Sequence, residues 1–112
     1  MLEIAVLIVT YNGEEYISEC IGSLLDHFNQ DEIYIVDNCS SDDTIEILES
    51  SFPSLNIIKN SRNYGFGAAC NLGTKSIDSD LVMVLNQDAK LISFDKKTIR
   101  SIFQGGEIGV WR

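Results

Sequence analysis

The sequence predicts an α/β domain with a mostly parallel, Rossmann-like sheet and helices on both faces. Two observations carry this expectation. Short apolar runs of strand length alternate along the chain with stretches whose apolar residues recur at helical spacing. The first run, residues 4–9, is apolar at every position rather than at alternate ones, the pattern of a strand covered on both faces.

Each element follows from its own residues. "LEIAVLIVT" is the first strand. In "EEYISECIGSLLDHF", Tyr16, Ile17, Cys20, Ile21, Leu24, Leu25 and Phe28 share one helical stripe. "EIYIVD" is a second strand, and "DDTIEILESSF" opens a helix with a capping box of Asp43 and Glu46. "LNIIKN" reads as a third strand. "FGAACNLGTKSI" is a helix of small residues suited to close packing on a sheet, and Gly65, just before it, and Gly67 suit a tight turn and a close backbone approach. "DLVMVLN" is the fourth strand, "SFDKKTIRSIF" a last helix, and "EIGVW" the start of another strand. No repeat, linker or low-complexity segment interrupts the pattern.

Composition narrows the function classes. The 112 residues are 45% apolar with one proline, so a single domain over residues 1–112 with its own core is expected, and disorder is not. No apolar run approaches the roughly 20 residues of a membrane span, and no basic leader precedes residues 4–9, so neither a span nor a signal peptide is expected. The formal net charge is −9 and the 8 basic residues are scattered, which disfavours nucleic acid as a partner. An anionic ligand would need a metal ion or backbone amides. Cys20, Cys39 and Cys70 fit neither a zinc spacing nor a disulfide framework and read as buried, reduced thiols. His27, the single histidine, reads as surface or structural.

In such sheets ligands bind beyond the carboxyl ends of the strands, near the point where strand order reverses. The four strand ends are Thr10-Tyr11-Asn12-Gly13, Asp37-Asn38-Cys39-Ser40, Asn60-Ser61-Arg62-Asn63-Tyr64-Gly65 and Asn86-Gln87-Asp88. All are polar. Asp42 and Asp43 suit helix capping, whereas for Asp37 and Asp88 a turn role and a ligand role both stay open. "GFGAAC" is a poor dinucleotide fingerprint, since it follows the third strand and puts Cys70 at the last position.

In order, "VLIVTYNGEEYISECIGSLL", "YIVDNCSSDDT", "NYGFGAACNLG" and "VMVLNQD" resemble the nucleotide-sugar-binding half of family 2 glycosyltransferases, which have the GT-A fold. The similarity is greatest to the rhamnosyltransferase-like branch and runs from about residue 2 to 88, with a continuation to the end of the chain. The resemblance implies hexosyl or rhamnosyl transfer from a nucleotide sugar to an acceptor hydroxyl. It implies that Thr10, Tyr11 and Asn12 hold the nucleoside, and that Asp37 and Asn38 read the base and ribose side. Asn63, Gly65 and Asn71 match an Asn-x-Gly…Asn element lining the nucleotide pocket. Asn86, Gln87 and Asp88 fall on the metal-binding D-x-D motif, with Asn86 in place of the first Asp and Asp88 as the ligand of Mg²⁺ or Mn²⁺.

An acceptor for a base imide N–H at Asp37 or Asn38 favours UDP-, dTDP- or GDP-sugars. The resemblance further implies a glycan or lipid-linked acceptor and a cytoplasmic location at the inner membrane surface. Relatives continue well past 112 residues, and Asp95 and Glu107 match no catalytic-base motif. The expectation is therefore an incomplete GT-A domain of a truncated enzyme, inactive alone and prone to self-association through an uncovered sheet edge. The competing expectation is a non-catalytic nucleotide-binding, self-associating module of the same fold. A sugar nucleotidyltransferase would want a Gly-rich basic loop after the first strand, where Gly13-Glu14-Glu15 stands instead.

Overall fold

The structure, a computed structural model, describes residues 3–92 and residue 95. Four parallel strands, β1 (Ile4–Thr10), β2 (Ile33–Asp37), β3 (Asn56–Lys59) and β4 (Leu81–Asn86), stand in the order β3-β2-β1-β4. Helices α1 (Ile17–Leu24), α2 (Thr44–Ser51) and α3 (Phe66–Lys75) connect them, with a 3-10 turn at Gln30–Glu32 before β2. Apart from Asp95, the expected helix "SFDKKTIRSIF" and the strand-like "EIGVW" lie outside the described residues.

Every residue of β1 is buried, and successive side chains enter two different cores. Ile4, Val6 and Ile8 pack with Ile17, Ile21 and Leu24 of α1 and Leu48 of α2. Ala5, Leu7 and Val9 pack on the other face with Ala69 and Cys70 of α3. The period of two along a strand thus explains the unbroken apolar run, because both alternating sets need cover.

Small residues let α3 approach closely. A Cβ added at Gly73 would lie 2.6 and 2.9 Å from the two Leu7 methyls and 3.0 Å from a Val36 methyl. Gly65, just before α3, has φ of 87°, where an L side chain is strained. Gly67 has open space around its Cβ position, so close approach, expected at that residue, falls at Gly73 instead.

Two local expectations are corrected. The α1 stripe is narrower than its sequence suggests: Tyr16 and Leu25 are exposed, because the helix runs only from Ile17 to Leu24, while Phe28 is buried beyond its end. The Asp43–Glu46 capping box does not form. Asp43 occupies the N-cap of α2 with no side-chain cap hydrogen bond, and Asp42 takes the backbone and hydroxyl protons of Thr44 at 3.0 and 2.5 Å.

The chain steps outward from β1 through β2 to β3, then returns to the other side of β1 for β4. Strand order therefore reverses at β1/β4. Register aligns Thr10 with Asp37, Asp37 with Lys59 and Val9 with Asn86, which brings the polar strand ends to one edge.

Candidate functional site

The loop after β1 is stitched to the loop after β2. Asn12 adopts a left-handed φ of 47°, which asparagine tolerates better than most residues. Its Oδ1 accepts the Ser41 N–H at 2.8 Å, and its own N–H donates to Ser40 Oγ at 2.9 Å. Gly13 N–H donates to Thr44 Oγ1 at 2.9 Å, and Glu14 N–H to Asp42 Oδ2 at 3.2 Å. Burial would raise the Asp42 carboxyl, but the bonds from Thr44 and Glu14 outweigh it and hold the group below the ordinary aspartate value. A lowered carboxyl stays charged at neutral and mildly acidic pH, so this tie is lost only as pH falls below the ordinary aspartate range.

Asp37 is buried, and both of its oxygens hold Ser40: Oδ1 takes the hydroxyl proton at 2.5 Å and Oδ2 the backbone N–H at 3.0 Å. Through Ser40 it also supports the Asn12 backbone. Asn38, only 2% exposed, lines the cleft described below while tying three segments together. Its Nδ2 donates to the Gly65 carbonyl at 3.2 Å, and its Oδ1 accepts from Asn60 Nδ2 at 2.9 Å and Tyr64 N–H at 3.4 Å. Asn63 Oδ1 accepts the Gly65 N–H at 2.8 Å and so shapes the entry to α3.

Along β4 the chain ends in a turn closed by the Ala89 N–H on the Asn86 carbonyl at 3.0 Å. Gln87 points back to β1: its Oε1 accepts from Thr10 Oγ1 at 2.6 Å and Tyr11 N–H at 3.0 Å, and its Nε2 donates to the Tyr11 carbonyl at 3.2 Å. Asp88 is exposed, and among the described residues its carboxylate has no hydrogen-bond or ion-pair partner. Lys90 beside it is engaged by Glu19 of α1.

These ends enclose a cleft of about 400 Å³ at the reversal of strand order. Of the residues singled out from sequence, Tyr11, Asn38, Asn63, Gly65, Asn86, Gln87 and Asp88 line it. Thr10, Asn12 and Asp37 are not among the lining residues and support those that are, and Asn71, exposed on α3, is not among them either. Sequence reasoning missed Val9, Tyr16 and Phe66, which also line the cleft. Tyr16 and Phe66, 48% and 52% exposed, precede and begin helices that start where strands end. That position, an aromatic at a helix start following a strand's carboxyl end, is the signal that could have found them.

The cysteines divide. Cys39 is exposed at a φ of 68°, contrary to the expectation that all three are buried, because it sits on the turn that Asp37 and Ser40 form. Cys20 lies in the core beneath the β4 turn, its thiol 3.7 Å from the Asn86 carbonyl. Burial, with the Asp88 charge adding to it, pushes that thiol up to about 11, and burial also raises Cys70. The thiolate is the nucleophile, and raising its pKa suppresses it. At pH 8, iodoacetamide is expected to label Cys39 in the folded protein and Cys20 and Cys70 only after denaturation, as read by peptide mass spectrometry. Early labelling of Cys20 would show that α1 opens from the sheet.

Comparison with known proteins gives a consistent result. The family model for Glycosyl transferase family 2 matches residues 5–102. The poly(ribitol-phosphate) beta-N-acetylglucosaminyltransferase TarS of Staphylococcus aureus is 31% identical over 97 residues, which are 79% of this chain and 16% of TarS. The SPbeta prophage-derived glycosyltransferase SunS of Bacillus subtilis is 31% identical over 81 residues, 72% of this chain and 19% of SunS. The chain thus spans under a fifth of the length of these curated relatives.

Among solved structures, that of S. aureus TarS superposes with a TM-score of 0.78 at 25% identity, covering 93% of this chain and 20% of that one. TarS 1–349 in complex with UDP-GlcNAc gives 0.73 at 28% identity, covering 92% and 30%. A mannosyltransferase from Pyrobaculum calidifontis, solved with GDP-Man and Mn²⁺, shares the fold with a TM-score of 0.71 at 20% identity, covering 82% and 29%.

Proposed function

The chain belongs to glycosyl transferase family 2, and from that premise we propose that residues 1–112 form a donor-binding domain that takes a nucleoside diphosphate sugar. The observation that carries this reading is the cleft at the strand-order reversal. It is lined by three exposed aromatic rings, Tyr11, Tyr16 and Phe66, and by the Asp88 carboxylate.

Exposed aromatic faces suit stacking against a nucleobase. The amides of Asn63 and Asn86 offer donors and acceptors for ribose and sugar hydroxyls. Among the described residues no lysine or arginine lines the cleft, so a diphosphate there would face a carboxylate without a balancing cation. The donor set fits Mg²⁺ or Mn²⁺: such ions take one or two protein carboxylates and fill their remaining positions with phosphate oxygens and water. Asp88 would hold the ion, and no group of three His, Cys, Asp or Glu side chains able to form a fuller cage exists among the described residues. Bound there, the ion would neutralise charge on the diphosphate leaving group.

Sugar transfer breaks the bond from the anomeric carbon to the diphosphate oxygen and forms one to an acceptor hydroxyl, whose proton passes to a base. None of the described residues is assigned that role, so residues 1–112 alone are expected to bind donor and transfer no sugar. The solved TarS complex with UDP-GlcNAc supports a UDP-linked donor over a dTDP- or GDP-linked one. The acceptor we propose is a glycan or lipid-linked chain at the cytoplasmic face of a membrane; among the described residues no helix is long and apolar enough to cross one.

Calorimetric titration with UDP, dTDP and GDP, with and without Mn²⁺, tests the reading. UDP is expected to bind most tightly, with affinity about tenfold higher in Mn²⁺, equivalent to about 1.4 kcal/mol. Failure of all three nucleotides to bind under either condition would refute it.

A further inference from the structure

Gln87 sits between the two residues of its motif that suit ligand contact, yet its amide turns the other way. Oε1 accepts from both Thr10 Oγ1 and Tyr11 N–H, and Nε2 donates to the Tyr11 carbonyl. An amide oxygen has two lone pairs and an amide nitrogen two protons. The oxygen is therefore fully used within the protein, and only one N–H remains for anything in the cleft. The partners are 76 and 77 residues away in sequence, at the end of the neighbouring strand and the start of its exit loop.

The slot that receives the amide is shaped for it. Gly13 forms one wall, and a Cβ there would stand 2.3 Å from Gln87 Oε1, 2.9 Å from Gln87 Cδ and 2.9 Å from Thr10 Oγ1. Thr10 is fully buried, so the site its hydroxyl offers has little freedom to move. On the other side of Gln87 the turn continues directly into Asp88.

We infer that Gln87 is a positioning residue: it ties the turn carrying Asp88 to the loop carrying Tyr11 and so fixes the separation between the cation end and the nucleoside end of the donor site. This rests on the donor-binding reading above. A diphosphate can join the two ends only if their spacing matches its length, so the tie acts on cation–nucleotide coupling more than on either end alone. Groups that orient a metal ligand from behind have effects of about tenfold to a hundredfold on metal affinity.

The experiment compares UDP affinity with and without Mn²⁺ for the wild type, Gln87→Met, Gln87→Glu, Gly13→Ala and the Gln87→Met/Gly13→Ala double variant. Amide hydrogen exchange is followed on the same proteins without ligand. Gln87→Met, of similar length but without the bonds, is expected to lose about tenfold in Mn²⁺-dependent UDP affinity and little in metal-free affinity. Gln87→Glu keeps an oxygen that accepts from Thr10 and Tyr11 but loses the donor to the Tyr11 carbonyl, so it should recover only part of the loss. Gly13→Ala, which expels the amide without altering Gln87, should reproduce the defect, and the double variant should be no worse than either single one. The Tyr11 amide should exchange faster in Gln87→Met while the Leu7 and Ile8 amides of the β1 interior keep their protection.

Equal losses with and without Mn²⁺ in Gln87→Met would identify a direct ligand contact and overturn the inference, as would wild-type coupling in that variant. Absence of UDP binding by the wild type would sink the donor reading instead. Unchanged Tyr11 exchange in Gln87→Met would sink the tie itself, whatever the nucleotide result.

Discussion

Asp88→Ala is expected to erase the gain in UDP affinity that Mn²⁺ gives, while leaving metal-free binding unchanged or slightly stronger. The sign of the second part follows from charge. Asp88 is the carboxylate lining a cleft that no described basic side chain enters, so without a cation it repels a diphosphate. Removing it removes that repulsion and the cation's protein ligand together. Paired titrations of wild type and variant decide the matter. A variant that still responds to Mn²⁺ as the wild type does would remove Asp88 from the metal assignment. Because Asp88 is exposed and has no partner among the described residues, its replacement is expected to change stability by no more than about 0.5 kcal/mol. Lost coupling therefore cannot be ascribed to unfolding.

The largest effect on stability is expected from Leu7→Ala, a loss of about 2–5 kcal/mol, against a total near 5–15 kcal/mol for a domain. Leu7 is fully buried, and its methyls fill the space under Gly73 where α3 comes closest to the sheet. The reverse change tests the same contact. Gly73→Ala places a methyl against Leu7 and Val36, and overpacking of this kind costs about 1–3 kcal/mol. In the double variant the new methyl enters the volume vacated by Leu7, so the two losses should sum to less than their separate values. Urea denaturation of the three variants measures this. Strict additivity would show that α3 does not rest on Leu7 in the way the packing indicates. The contact also bears on the site, since α3 starts at Phe66, directly after Gly65, and both line the cleft.

Much of the architecture is legible in the chain because it depends on local pattern. The unbroken run of β1, the stripe Ile17, Cys20, Ile21 and Leu24, and the small residues of α3 each report a periodicity or a size that neighbouring residues alone display. Errors arose at ends. Tyr16 and Leu25 fit the α1 stripe in sequence, but the helix is too short to bury them. Asp43 and Glu46 have capping-box spacing, but the Asp43 N–H that Glu46 would accept goes to Glu14 Oε2 at 3.3 Å, and Glu14 lies on another loop.

The sequence by itself determined the alternating α/β plan, the two-sided cover of β1 and the gathering of polar strand ends on one edge. Those follow from side-chain period and from the way parallel strands must be connected. Tertiary structure alone decided which polar groups face the cleft and which are consumed in holding it. Asp37 is spent on Ser40; Asn38 and Gln87 line the cleft but are tied to Asn60, the Gly65 carbonyl and Tyr11, while Asp88 is left facing the cleft and Asn71 is not among its lining residues. The reason is that most of these hydrogen bonds join residues that only the sheet brings together. A short polar stretch carries the same donors and acceptors whether it meets a ligand or another loop.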